Sequence, residues 1–232
     1  GGRLDATNII PKKLCSIITP ISYDHEEYLG NTIKKITKEK LGITRKSKFV
    51  IISKQTNEVT KFISNKLINT NNVYTYGKEY KISKVKKNNF VFKFKNTIKK
   101  ISRPKLNGAH QIENASVALA FSEILSMNGF KMNFKKISIA IKETDWPGRL
   151  EILKYNNKII ILDGSHNIDG AKKLSQFLKD KNLKPVVLFG MLNNKKMDMF
   201  LKLIKSDISS LLAIKIPNEN NAFSSNQIAE NC

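Results

Sequence analysis

Cysteine is almost absent from this 232-residue chain: there is Cys15, inside an apolar run, and Cys232, the last residue. Two such residues cannot form a disulfide framework, so the core has to come from apolar packing, and a reducing, cytoplasmic setting is expected. No apolar run approaches the roughly 20 residues needed to cross a bilayer. Gly1-Gly2-Arg3 opens a polar turn rather than the apolar stretch of a signal peptide, so no membrane partner is expected. Arginine is scarce, with Arg3, Arg45, Arg103 and Arg149 among 41 basic residues, and acids number only 19, leaving a net charge of +22. Nucleic-acid interfaces lean on arginine for bidentate contacts. Here the excess is lysine, spread over every segment without interleaved aromatics. The charge therefore fits the steering of anionic small molecules better than a nucleic-acid partner. A non-catalytic basic nucleic-acid-binding module remains the alternative from a different class. Three motifs are also missing: a G-x-x-x-x-G-K-[ST] phosphate loop, a Cys/His cluster suited to zinc, and a G-x-S-x-G nucleophile turn.

With 41% hydrophobic residues, the chain has the composition of a globular protein. Leu14 to Thr19 and Lys48 to Ser53 predict buried strands. Asn31 to Leu41 predicts a helix stopped by Gly42, and Val59 to Asn69 a second helix. From Val73 to Ile101, Tyr74, Tyr76, Tyr80, Ile82, Phe90, Phe92 and Phe94 alternate with polar residues, which predicts antiparallel sheet with a turn at Lys86 to Asn89. A loop from Pro104 to Gln111 precedes a helix from Ile112 to Asn128 with Ala115, Ala118, Leu119, Ile124 and Leu125 inward. Asn133 is placed to cap a helix from Phe134 to Glu143. A domain boundary is expected near residue 151, giving domains 1–150 and 151–232. Beyond it, strands at Lys158 to Leu162, Pro185 to Phe189 and Ser210 to Lys215 alternate with helices at Asp169 to Lys179 and Lys196 to Lys205. That alternation predicts a parallel α/β sheet, whose ligands gather at the carboxyl ends of the strands.

Each of the three histidines, His25, His110 and His166, falls in a polar loop between regular elements. Asp24-His25 closes a strand-like run, and Glu39-Lys40 ends the next helix, so both can reach one sheet edge. His25 can ligate a metal or be a turn residue, and Lys40 read alone is a solvated charge at a helix end. Asp163-Gly164-Ser165-His166-Asn167 runs from a strand into a helix whose free N–H groups suit an anion. There Asp163 can accept from a ribose hydroxyl or merely shape the turn. Arg149 follows Pro147-Gly148 and suits a phosphate or a surface ion pair. Asn114 can read a base edge or cap its helix.

Seven motifs occur in order: GGRLDATN (1–8), S-x-DH-x-x-YLG-N-T (22–32), EKLGI (39–43), HQIENASVA (110–118), PGRLE (147–151), ILDGSHN (161–167) and FGMLNNKK (189–196). Together the sequence resembles the folylpolyglutamate synthases, including the bacterial bifunctional dihydrofolate synthases, of the Mur-ligase-like superfamily. His110-Gln111 and Asp163-Gly164 separate it from the muramyl peptide ligases, which are the alternative within that superfamily. The resemblance implies an α/β fold: a partial P-loop-type ATP-binding domain with an antiparallel β section, then a truncated Rossmann-like glutamate-ligase domain. It also implies an ATP- and Mg²⁺-dependent ligase that joins L-glutamate to dihydropteroate or folates through an acyl phosphate. In that reading His25 is a Mg²⁺ ligand and Lys40 carries a CO₂-derived carbamate that supports a second metal. Asn114, Arg149 and Asp163 contact the base, phosphate and ribose of ATP. His166 completes the nucleotide site, with Lys40 and His166 as the catalytic pair, and Leu4, Asp5 and Ala6 lie against the pterin substrate. Family members carry the phosphate loop and a glutamate ligand ahead of GGRLDATN. The chain is therefore expected to be a fragment, inactive by itself; a monomer is also expected.

Overall fold

The computed structural model describes every residue except Gly1, Pro11, Asn71 and Cys232, and only the backbone of Thr7. Gly1 of the opening turn and the terminal Cys232 thus lie outside the described residues. The chain forms two compact units, one made of Gly1–Lys105 with Ala109–Asp145, the other of Leu106–Gly108 with Trp146–Cys232.

The first unit is built on a parallel sheet. In it β1 (Lys13–Ile18) pairs with β2 (Ser47–Ile52), and β2 with β3 (Val73–Thr75). Between β1 and β2 run α1 (Glu26–Leu29) and α2 (Ile33–Leu41), and α3 (Asn57–Lys66) links β2 to β3. Thr32 and Thr56 start α2 and α3, their hydroxyls accepting from Lys35 N–H and Val59 N–H. The continuous apolar run of β2 is explained by burial of both its faces. Val50 and Ile52 join Ile36, Leu41, Val59 and Ile63 on one side. Phe49 and Ile51 join a second cluster on the other side. Burying each such side chain is worth roughly 1.5–3 kcal/mol.

The second cluster includes an antiparallel sheet of β4 (Tyr80–Ser83), β5 (Asn89–Phe94) and β6 (Thr97–Ser102). The expected alternation holds for Phe90, Phe92 and Phe94, all buried. Val73 to Thr75, expected in the same antiparallel sheet, is instead the third strand of the parallel one. Period-2 alternation identifies a strand but not its partner. Tyr74 then stacks on Phe94 at 5.6 Å between ring centroids, and the Tyr80 hydroxyl donates to Ile52 O at 2.9 Å, tying the two sheets together. Burial pushes the Tyr80 phenol well above the ordinary tyrosine range.

Against these sheets packs α4 (His110–Met127), followed by α5 (Phe134–Glu143), whose cap Asn133 accepts from Lys136 N–H as expected. The start of α4 at His110 corrects the expected loop, because His110 and Gln111 are helical. Ala118, expected inward, is exposed. Ser116 and Ser122 are tolerated inside because their hydroxyls donate to Glu113 O and Ala118 O. Buried Glu123 meets Lys99 Nζ at 2.6 Å, and the same ammonium lies 4.0 Å from the Phe134 ring centroid.

The second unit opens with a hairpin that the sequence reading did not anticipate. β7 (Glu151–Tyr155) pairs antiparallel with β8 (Lys158–Leu162). Asn156 and Asn157 close it with φ of 45° and 61°, the two left-handed residues that a tight hairpin turn requires. The strand at 158–162 is therefore present but has an antiparallel neighbour. After α6 (Ile168–Asp180), β9 (Val186–Phe189) and β10 (Ser210–Ala213) pair in parallel, as expected, with α7 (Met197–Ile204) between them and α8 (Ser225–Ala229) last. Ala171, Phe189, Met197, Phe200, Leu201, Ile204 and Ile228 form the core here. Ile159, Val186, Leu188 and Leu212 are each at least 57% exposed.

Candidate functional site

In the first unit Asp5 and Lys40 meet at the carboxyl end of β1, and His25 stands in the turn that follows that strand. The chain leaves β1 and reaches His25, which adopts a left-handed backbone with φ of 52°. Asp24 Oδ1 accepts from His25 N–H at 2.9 Å, and the His25 carbonyl accepts from Tyr28 and Leu29 N–H. His25 thus starts α1 through its backbone, and its imidazole takes no part in capping. The ring is exposed, with Nε2 3.9 Å from Asp24 Oδ2.

The opening segment crosses the end of α2. A Cβ on Gly42 would stand 2.6 Å from Arg3 Cβ and 2.8 Å from Arg3 Cα, and Arg3 Nε lies 3.5 Å from Glu39 Oε2. Gly42 was expected to stop the helix. Its φ is an ordinary −55°, and the chain continues through a tight turn to Thr44. Glycine is needed here for the close crossing, not for a left-handed stop. The crossing brings Gly2, Asp5 and Lys40 together with Ile17, Ile18, Thr19 and Ile43 around a cavity of about 170 Å³. Leu4 and Ala6 are exposed beside Asp5. Among the described residues no three His, Cys, Asp or Glu side chains cluster to hold a metal. His25 and Lys40 offer one imidazole and one amine.

Asn114 sits one turn into α4, exposed. It is not a cap: Asn114 Nδ2 donates to Gln111 Oε1 at 3.0 Å, and Gln111 Nε2 lies 3.1 Å from His110 Nε2. Glu113 on the same turn binds Lys54 Nζ at 2.7 Å, which raises the Lys54 pKa.

In the second unit Arg149 is exposed between two left-handed residues, Gly148 with φ 69° and Leu150 with φ 50°. Asp163 accepts from Leu150 N–H at 3.0 Å through Oδ2 and from Ser165 N–H at 3.1 Å through Oδ1. Gly164 N–H donates to Gly148 O at 2.8 Å. The structure therefore brings Arg149, Asp163 and His166 into one pair of interlocked turns. His166 Nδ1 lies 2.9 Å from Gly164 O. A carbonyl can only accept, so Nδ1 carries a proton. Asn167 is the cap of α6, its Oδ1 accepting from Gly170 N–H at 2.8 Å. In these turns the positive φ angles fall at Gly148 and Leu150, not at Gly164. Sequence reasoning missed Asn107, whose Nδ2 donates to Leu150 O at 2.9 Å. No local signal marks a partner so distant in the chain.

Comparison with known proteins gives the family. Residues 8–122 match the Mur ligase middle domain, and residues 148–232 match the Mur ligase glutamate ligase domain. This chain belongs to the Mur ligase family. Within the family it groups with the dihydrofolate and folylpolyglutamate synthases. It is 34% identical to the dihydrofolate synthetase of Saccharomyces cerevisiae over 192 residues, covering 77% of this chain and 44% of that protein. It is 33% identical to the dihydrofolate synthase/folylpolyglutamate synthase of Buchnera aphidicola (subspecies Baizongia pistaciae), covering 97% of this chain and 55% of that protein. A structure of E. coli FolC in complex with DHPP and ADP superposes with a TM-score of 0.86 at 26% identity, over 100% of this chain and 54% of that one. This Mur ligase chain thus spans about half the length of the relatives it matches. None of its described helices is long and apolar enough to cross a membrane.

Proposed function

We propose that this Mur ligase chain belongs to an ATP-dependent ligase that joins L-glutamate to the carboxylate of dihydropteroate or a folate. The observation that carries this reading is the likeness over the whole chain to a FolC structure holding DHPP and ADP. The chemistry has two steps. A carboxylate oxygen of the substrate attacks the γ-phosphorus of ATP, the bond to the β-phosphate oxygen breaks, and ADP leaves. The amino nitrogen of glutamate then attacks the acyl carbon, the carbon–oxygen bond to phosphate breaks, and an amide forms with loss of a proton. The first step is needed because a carboxylate oxygen is otherwise a poor leaving group.

In this reading Arg149 neutralises phosphate charge, Asp163 accepts from a ribose hydroxyl with the lone pairs its backbone bonds leave, and Asn114 faces the base. His166 completes the nucleotide site, and Leu4, Asp5 and Ala6 contact the pterin. Bound Mg²⁺ would offset repulsion between the anions. Magnesium prefers oxygen donors, and His25 and an unmodified Lys40 supply none. A carbamate on Lys40, formed when its neutral amine adds CO₂ and loses a proton, supplies two oxygens in the cavity that Asp5 also lines. With that modification the residues fit a partial magnesium site. The protein is taken as cytoplasmic and monomeric.

The test is turnover in a protein of the relatives' full length. His25→Ala and Lys40→Ala are expected to collapse glutamate-dependent release of ADP, and added CO₂ is expected to raise the activity of the unsubstituted protein alone. Near-normal rates in both variants would overturn the metal assignment.

A further inference from the structure

We propose that Asn107 is a positioning residue for Arg149, acting through a strained backbone at Leu150. Leu150 is only 3% exposed and holds φ at 50°. That region is costly for a branched L-residue and persists only where the surroundings impose it. Here the imposing contacts are all visible. The Leu150 N–H donates to Asp163 Oδ2 at 3.0 Å, and the Leu150 carbonyl accepts from Asn107 Nδ2 at 2.9 Å. Its side chain is packed with Phe177 and Leu178. On the other side of Arg149, the Gly148 N–H donates to Glu151 Oε2 at 2.9 Å, and the Gly148 carbonyl accepts from Gly164 N–H at 2.8 Å.

Both neighbours of Arg149 therefore have their N–H and their C=O pinned, while the Arg149 side chain is exposed. A surface arginine with only a solvating role needs no such frame. The frame suits a guanidinium that must meet phosphate oxygens in a fixed direction, since a planar fork loses its paired hydrogen bonds when its base swings. Asn107 comes from the Leu106–Gly108 segment, far from Leu150 in sequence but part of the same compact unit. Losing its bond would free the Leu150 carbonyl and let the turn relax toward ordinary backbone angles, carrying Arg149 with it. The proposal rests on the reading of Arg149 as a phosphate contact.

A double-substitution cycle in the full-length protein separates the two claims, with ADP as the probe and calorimetry as the readout. Arg149→Ala is expected to weaken ADP binding. Asn107→Ala and the near-isosteric, uncharged Asn107→Leu, which removes the donor, are each expected to weaken it about 3- to 10-fold, the usual worth of one hydrogen bond. In the Arg149→Ala background the Asn107 substitutions are expected to change nothing further. Asn107→Leu covers the case in which the alanine variant does not fold. An equal loss from Asn107 substitution with and without Arg149, or no loss at all, would overturn the positioning role while leaving Arg149 as a phosphate contact. Unchanged ADP binding in Arg149→Ala alone would overturn the phosphate contact itself, and the positioning role with it.

Discussion

Replacing Gly42 by alanine sets two effects of opposite sign against each other. The backbone at Gly42 is right-handed, with φ of −55°, so alanine fits the local conformation and should gain about 0.4–1 kcal/mol by restricting the unfolded chain. The added methyl would stand 2.6 Å from Arg3 Cβ and 2.8 Å from Arg3 Cα. Overpacking of this kind costs about 1–3 kcal/mol when nothing moves. What can move is the opening segment. It is held there by the exposed Arg3–Glu39 pair, worth about 0–1 kcal/mol, and by the contact of Gly2 with Leu29 and Glu39. The cost of the clash is therefore capped by the cost of lifting Gly2 to Asp5 off the end of α2. Gly42→Ala is expected to leave global stability within about 1 kcal/mol, since the entropic gain offsets the lost crossing. It is expected to raise the detached population of the segment roughly 5- to 30-fold, corresponding to about 1–2 kcal/mol. Native-state trypsin cleavage after Arg3, followed by mass spectrometry, reads that population directly. Unchanged cleavage, or a structure of the variant with Arg3 still over residue 42, would refute the reasoning.

Two further predictions concern buried charge. Lys99→Met leaves Glu123 buried beside an apolar partner and is expected to cost about 3 kcal/mol in urea unfolding, whereas Lys99→Met with Glu123→Leu should recover most of it. Asp207 has its pKa lowered, first by the Ser175 hydroxyl that donates to it at 2.6 Å and then by Lys179, while burial opposes the shift. A carboxyl lowered on folding stabilises the fold at pH values above its unfolded pKa. That stability is lost as pH falls through the folded value, below the ordinary carboxylate range. Thermal melts from neutral pH downward should thus show an acid loss that Asp207→Asn flattens, and an unchanged acid limb in the variant would contradict the assignment.

What could be read from the sequence follows the range of each signal. Phe49 to Ile52 announce a strand buried on both faces because all four are apolar. Asn133 announces a cap because the capping oxygen and its N–H are three residues apart. The hairpin at Asn156-Asn157 is legible in principle, since two strand-forming runs flank a two-residue turn, but the domain boundary expected near residue 151 masks its first strand. The pairing of β3 with β2 was not legible, because alternation is the same for any partner. Nor was the helical start at His110: Ala109 precedes it with no side-chain cap, so nothing local marks the boundary. At the candidate site, ordered motifs single out Lys40, Arg149 and Asp163. The structure around them joins residues far apart in sequence, with Asp5 and Lys40 lining one cavity and Asn107 donating to Leu150 O, and periodicity carries no trace of those.

The bare apolar strands of the second unit set a limit on handling. Open strand edges and uncovered Ile159, Val186, Leu188 and Leu212 are templates on which another copy can add itself. What holds copies apart is mutual repulsion from a charge of +22. That repulsion reaches only about 10 Å at 0.1 M salt and about 3 Å at 1 M. Colloidal behaviour of the 232-residue chain is therefore expected to follow ionic strength, dispersed in dilute buffer and clumped in brine, the reverse of salting-in.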